Sequence, residues 1–246
     1  MELTALKEEF DLNGFLHIRG FMNVDEVDDL AAKFDQFVAD VVPKLPRKQA
    51  MYENYDDPST LKQIMNMEKE DAVFKNLLHD PQLIELTSAL LNDEVIPQHV
   101  GAFIKAPLKG TPTPAHQDGY YFCLVPNEAL TIWLPIGNID ASNGALCYIK
   151  GSHKGGIISH NASGVLGFSQ GLSDNNFEGE EVVCAVEKGD CLIHHSRTIH
   201  YAAGNSSERP RRSLGLIYFA AKAHLDPGLL EVYDASREIQ QNKLGV

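Results

Sequence analysis

His116 and Asp118 stand two positions apart in Thr113-Pro114-Ala115-His116-Gln117-Asp118-Gly119-Tyr120. In an extended segment alternate side chains leave the same face, so this imidazole and this carboxylate point into one space. A neutral ring nitrogen and a carboxylate oxygen converging on one point suit a divalent metal. If a second histidine arrives from elsewhere, two His and one carboxylate occupy one face of the ion and the opposite positions stay open, an arrangement that serves non-haem Fe(II). Taken alone, the three-residue pattern fits an exposed strand end with two polar residues equally well.

A third ligand is expected from a late strand. The stretch Gly189–Asn205 offers His194, His195 and His200. His194 and His195 are neighbours, so in a strand they face opposite ways and at most one points inward; the three compete at this level. Downstream lies Arg209-Pro210-Arg211-Arg212-Ser213-Leu214. An inward-pointing Arg at the start of a strand is costly unless it meets an anion. Its planar guanidinium matches a carboxylate in a two-pronged fork. 2-Oxoglutarate fits that demand: its 2-oxo and 1-carboxylate groups chelate a metal, and its 5-carboxylate needs a cation. Ser213, two positions past Arg211, faces the same way and offers a hydroxyl. A basic surface turn is the alternative for this segment.

The elements that must position these residues are readable in outline. Residues 4–12 read as a helix, and 14–20 as a strand closed by glycine. Asn23 caps a helix whose apolar residues Val27, Leu30, Phe34 and Phe37 recur at helical spacing up to Val42. Residues 43–60 read as a polar loop, placed either over a pocket or as a surface connection. Residues 68–78 and 81–91 read as two more helices, the second with Asp80 as cap and Pro81 at its first position. From Val95 onward, short apolar stretches alternate with turn chemistry such as Ser142-Asn143-Gly144 and Lys188-Gly189-Asp190. Many short strands so spaced predict a double-sheet jelly roll. Residues 155–180 read as a long insertion between strands, and Pro227 onward as a terminal helix. The expected architecture is mostly β with flanking helices: one domain over 1–246, with a helical part to about residue 93, a β core to about 222 and a helical tail.

Composition narrows the function classes. Formal net charge is −13 over 246 residues. Such a surface repels a phosphate backbone, and no basic run with interleaved aromatics is present, so neither nucleic acid nor an anionic membrane is an expected partner. No apolar run reaches the ~20 residues of a membrane span. Cys123, Cys147, Cys184 and Cys191 are scattered in apolar surroundings without a C-x-x-C pair. They read as buried reduced thiols, and with no leader pattern at the start the expected location is cytoplasmic.

From about Gly14 to Ala220 the chain resembles the phytanoyl-CoA dioxygenase family of Fe(II)/2-oxoglutarate oxygenases. The resemblance is carried, in order, by His116-Gln117-Asp118, Trp133, Asn143-Gly144-Ala145-Leu146, Gly151-Ser152-His153-Lys154, Gly189-Asp190, His200 with Asn205, and Arg211. It implies a jelly-roll (cupin-like) core with iron on His116, Asp118 and His200. The family's spacing from distal His to 2-oxoglutarate Arg is that of His200 and Arg211, which leaves His195 as runner-up. It further implies Trp133 beside 2-oxoglutarate and, by analogy with a Lys used in some members, Lys62. Where members often carry Ser two residues after the distal His, this chain has Ala202, and Ser213 is the expected substitute. The implied reaction consumes O2 and 2-oxoglutarate, releases succinate and CO2, and hydroxylates an unactivated C–H of a small molecule. Asp118 favours hydroxylation over halogenation, which in relatives uses a small residue at that position. The other class considered is a cupin-like metal-binding protein, or a degenerate member without turnover. His153 reads as a turn-fixing residue, and His99, His160, His194 and His224 receive no role. Tyr120, Tyr121 and Phe122 are candidates to line the substrate pocket.

Overall fold

Asn23 shows how local chemistry begins the fold. Its side chain accepts from the Glu26 backbone N–H at 2.9 Å, and the Glu26 carboxylate accepts from the Asn23 N–H at 3.0 Å, a reciprocal cap. In this computed structural model, which describes residues 2–174 and 177–244, with side chains through Gln240, the elements run as follows. The N-terminal part holds α1 (Leu3–Asn13), β1 (Phe15–Ile18), α2 (Val24–Asp40), β2 (Ala50–Tyr52), β3 (Leu61–Ile64), α3 (Ala72–Leu78) and α4 (Pro81–Leu91). Then come β4 (Val95–Lys105), β5 (Thr113–His116), α5 (Asp118–Phe122), β6 (Leu124–Val125), β7 (Ala129–Pro135) and β8 (Leu146–Ile149). The remainder comprises β9 (His160–Val165), β10 (Phe168–Leu172), β11 (Glu181–Cys184), β12 (Cys191–His195), β13 (His200–Ala202), β14 (Arg211–Ala220), β15 (His224–Leu225) and α6 (Pro227–Leu244).

Two antiparallel sheets form the jelly-roll core. The larger has the order β1-β12-β7-β14-β4-β3-β2, the smaller β11-β8-β13-β5. Trp133 and Leu192 of the large sheet pack on Leu146, Tyr148 and Ala202 of the small one. The outer face of the large sheet is covered by the helices: Phe34, Phe37, Phe74, Leu86 and Leu90 pack on Ile132, Ile193, Leu214 and Leu216. Alternation along β12 explains the split, since Leu192 faces the inter-sheet space while Cys191 and Ile193 face the helices.

Four sequence expectations change. Besides the expected strand β1, the helical N-terminal part contributes β2 and β3 to the large sheet. The helix expected from residue 68 begins at Ala72, because the Asp71 carboxylate accepts from Val73 N at 2.8 Å and caps it there. The 155–180 insertion contains an antiparallel hairpin, β9 with β10, and the 43–60 segment contains β2 at the sheet edge. All four cysteines are buried and unpaired, as expected. Among the described residues no helix is long and apolar enough to cross a membrane.

Candidate active site

His116 ends β5, and Gln117 keeps an extended backbone before α5 begins at Asp118. One extended residue suffices to turn both side chains to the same side. The buried Gln117 side chain holds the local path: its amide donates to Arg197 O at 2.6 Å and Gly156 O at 2.7 Å, and its carbonyl accepts from Ile158 N at 2.9 Å. His200 lies directly opposite His116 in the β13–β5 pairing. The two imidazoles are 4.2 Å apart by ring centroid, and Asp118 Oδ1 lies 3.4 Å from His116 Nε2 and 3.6 Å from His200 Nε2.

This donor set fits a metal. Each histidine is engaged through Nδ1 by a backbone carbonyl, Pro114 O at 2.8 Å and Thr198 O at 3.0 Å. Nδ1 therefore carries the proton and Nε2 offers a lone pair toward the carboxylate. The carboxylate oxygen Oδ1 is 3.4 and 3.6 Å from the two Nε2 atoms, separations that metal bonds of about 2.1 Å can span. Burial, with His116 and His194 adding to it, holds the His200 imidazole well below its ordinary range, so it is neutral and free to ligate. Burial would raise the Asp118 carboxyl, but His200, His116 and His194 outweigh it and keep the group well below the usual carboxylate range.

His194, given no role from sequence, is part of the constellation. Asp118 Oδ2 accepts from His194 Nε2 at 3.0 Å and from Thr131 Oγ1 at 2.8 Å. The Tyr148 hydroxyl in turn donates to His194 Nδ1 at 2.9 Å. One carboxylate oxygen is thus held by the protein while the other faces the two histidines. The readable signal was the inward alternation of β12: Leu192 pairs with Trp133 and His194 with Thr131. His195, the runner-up ligand, points the other way, where its Nε2 lies 3.3 Å from Glu128. The structure does not bring it to the site.

Arg211 opens β14 and is 3% exposed. Among the described residues its hydrogen bonds reach two carbonyls, Gly144 at 3.3 Å and Phe103 at 3.4 Å, and no carboxylate. Trp133 lies beneath it, with the guanidinium 5.1 Å from a ring centroid. Burial lowers the guanidinium to about 10, which still leaves it charged near neutrality. The Asn143-Gly144 turn and Asn205 fix its surroundings. Gly144 has φ +97°, and a Cβ there would stand 2.7 Å from the Lys105 side chain. The Asn205 amide donates to Lys105 O at 3.0 Å and Arg209 O at 2.7 Å, closing the turn ahead of Arg211.

A cavity of about 890 Å³ joins these groups, its wall including His116, Asp118, His200, His194, Trp133 and Arg211. Other expected residues stand differently. Tyr121 and Phe122 line it. Tyr120 does not; it stacks on His160 at 4.3 Å. The reason is that 118–122 is helical, so successive side chains turn by about 100° rather than alternating. Ser213 is fully buried with its hydroxyl donating to Phe103 O at 3.2 Å, off the cavity wall. Lys62 is buried against Glu53 at 3.1 Å and Thr111 at 2.7 Å, and reaches a small cleft behind Arg211 rather than the cavity itself. A buried amine that sequence reasoning missed is Lys105, directly opposite Arg211 on β4. Burial, with Arg211 and Lys62 nearby, pushes its ammonium down to about 6. His153 is buried in the turn after β8, as expected, and His99 lines the cavity.

Known proteins resemble this chain in sequence and fold. The peroxisomal phytanoyl-CoA dioxygenase of Mus musculus is 24% identical over 98% of this chain and 73% of its own length, and that of Homo sapiens 23% over 99% and 75%. A probable alpha-ketoglutarate-dependent hypophosphite dioxygenase of Stutzerimonas stutzeri is 24% identical over 88% and 78%. Among solved structures, the epimerase SnoN in complex with Fe3+, alpha ketoglutarate and nogalamycin RO superposes with TM-score 0.75 at 20% identity, covering 92% of this chain and 86% of that one. EctD from S. alaskensis with 2-oxoglutarate and 5-hydroxyectoine gives 0.75 at 20%, over 90% and 77%. These likenesses establish the fold. The family model for phytanoyl-CoA dioxygenase (PhyH) matches residues 10–213, and the chain belongs to that family.

Proposed function

We propose that this chain is an Fe(II)- and 2-oxoglutarate-dependent oxygenase that hydroxylates an unactivated C–H of a small molecule. Its residues His116, Asp118 and His200 would hold the iron. The observation that carries the reading is Arg211: a buried cation without a carboxylate partner, on the wall of the same cavity as that triad. A desolvated guanidinium of this kind calls for a carboxylate ligand, and the distal carboxylate of 2-oxoglutarate supplies one. When bound, iron and its co-substrate supply the oxidising chemistry, with one atom of O2 going to succinate, CO2 leaving, and the other atom appearing in the alcohol.

The side chains have separable tasks. Arg211 binds the far end of the co-substrate and Trp133 packs beside it. His194 and Thr131 hold Asp118 Oδ2 and so leave Oδ1 to the metal. Tyr121 and Phe122 stand on the wall beside the triad and orient the target C–H. The mostly apolar wall limits water at the reacting carbon. Retention of Asp118 favours hydroxylation over halogenation. Four buried unpaired thiols suit a reducing compartment, and we place the protein in the cytoplasm on that ground. The test is Fe(II)-dependent conversion of 2-oxoglutarate to succinate in air by the purified chain. Absence of succinate with every substrate class offered, with Fe(II) bound, would leave a metal-binding protein without turnover.

A further inference from the structure

The cavity wall is charged in the opposite sense to the molecule. The chain carries a formal −13, yet the described wall holds Arg47, Lys48, Arg211 and Arg237 against a single carboxylate, Asp118. That carboxylate is committed to the metal triad and Arg211 to the co-substrate. Three cations are left over, and all three are exposed, so they stand at the mouth. They come from two separate parts of the chain, the segment before β2 and the helix α6.

Two acids of the 43–60 segment are turned to other partners. Asp57 pairs with Lys109 at 2.8 Å, and Glu53 with Lys62 at 3.1 Å. Among the described residues Arg47 makes no ion pair and stacks over the Tyr55 ring at 4.5 Å. Arg237 has a half-exposed pairing with Asp234 at 3.0 Å, of a kind worth little in water. The wall also carries Met51, Met65, Leu166 and Phe168, all half-buried, with Gln63, Asn66 and Ser169 among its polar groups, and its surface is mostly apolar. Exposure therefore falls from the cationic mouth to the metal end.

We propose that the substrate is an amphipathic anion, its compact negative headgroup held at the mouth by Arg47, Lys48 and Arg237 and its apolar body directed to the metal end. The inference rests on the oxygenase reading for the reaction that follows, and not for what binds. A carboxylate and a phosphate monoester share the required chemistry. A neutral polyol does not, because it carries no charge for the three cations at the mouth. Methionines suit a flexible aliphatic body.

The test uses decanoate, decyl phosphate, decanamide and decanoyl-CoA as probes, titrated by calorimetry into the full chain carrying Mn(II) and 2-oxoglutarate. Trp133, the only tryptophan in the sequence, reports 2-oxoglutarate binding separately by its fluorescence. Decanoate or decyl phosphate should bind at least about tenfold tighter than decanamide, the effect of one charge-assisted contact. The Arg47→Gln/Lys48→Gln/Arg237→Gln variant should bring that preference to within about twofold, and added salt should shrink it in the parent protein. Equal binding of decanamide, preference retained in the triple variant, binding of decanoyl-CoA alone, or binding of none of the four would each overturn the proposal. Decanoate discrimination without any 2-oxoglutarate response would sustain it while sinking the oxygenase reading.

Discussion

At the buried end of the cavity the candidate metal-binding side chains are each held by a neighbour; at the mouth the cations are held by little. Asp118 is gripped through one oxygen by His194 and Thr131, His116 and His200 each through Nδ1, and Arg211 is boxed by Gly144, Phe103 and Trp133. Arg47 and Lys48 are exposed on a segment with short secondary structure, and Arg237 rides on the outer part of α6. The difference separates two tasks. Chemistry needs ligand atoms fixed within fractions of an ångström, and strands of a two-sheet core provide that. Recognition of a headgroup needs charge and reach, which long exposed side chains on peripheral segments provide.

Substitutions at the two ends should therefore differ in kind. The largest effect is expected for Asp118→Ala. Fe(II)-dependent succinate formation should fall by more than about a hundredfold, beyond the 10–100-fold typical of an outer partner; retained turnover would remove Asp118 from the metal site. Next is Arg211→Ala, which should raise the 2-oxoglutarate concentration for half-saturation by about ten- to a hundredfold. Arg212→Ala should change it by less than about twofold, since Arg212 pairs with Asp35 on the surface. The reverse ranking would move the grip by one residue. His194→Leu leaves Asp118 Oδ2 with Thr131 alone, and Mn(II) affinity should fall about tenfold. His194→Gln keeps a donor and should recover part of that loss; equal affinities in both variants would show that His194 does not position the carboxylate.

The smallest effect concerns stability. Lys105 is depressed in the folded chain to about 6. Between its ordinary value of about 10.4 and that point, the unfolded chain binds a proton that the folded chain does not. Stability from this group therefore falls as pH is lowered through that window and levels off below it. Lys105→Met should remove a slope of up to about 1.4 kcal/mol per pH unit between pH 7 and 9. Unchanged slopes in denaturant titrations across that range would place the proton elsewhere.

How far the sequence speaks follows the same division. The H-x-D pair, the helical spacing in α2 and the turn chemistry between strands are local patterns, and each was legible. Choosing His200 over His195 required the family resemblance, because adjacent strand residues differ only in which face they present. His194 and Lys105 were missed for one reason: their roles depend on which strand lies beside them. His194 acts through Asp118 of another segment, and Lys105 matters because it lies opposite Arg211. Tyr120, Tyr121 and Phe122 were named together because they follow the H-x-D pair, and only the five-residue helix decides that Tyr121 and Phe122 reach the cavity while Tyr120 turns to His160. The mouth was least legible, since Arg47, Lys48 and Arg237 are ordinary surface residues until the fold gathers two distant segments around one opening.

The central claim is that His116, Asp118, His200 and Arg211 form one iron and 2-oxoglutarate site. It is tested most directly by anaerobic titration of the Fe(II)-loaded chain with 2-oxoglutarate, following the weak visible charge-transfer absorption of the chelate. The account predicts a saturable band at one equivalent of iron, lost in Asp118→Ala and shifted to higher 2-oxoglutarate concentration in Arg211→Ala. A chain that binds Fe(II) at these residues yet gives no band at any 2-oxoglutarate concentration would contradict it.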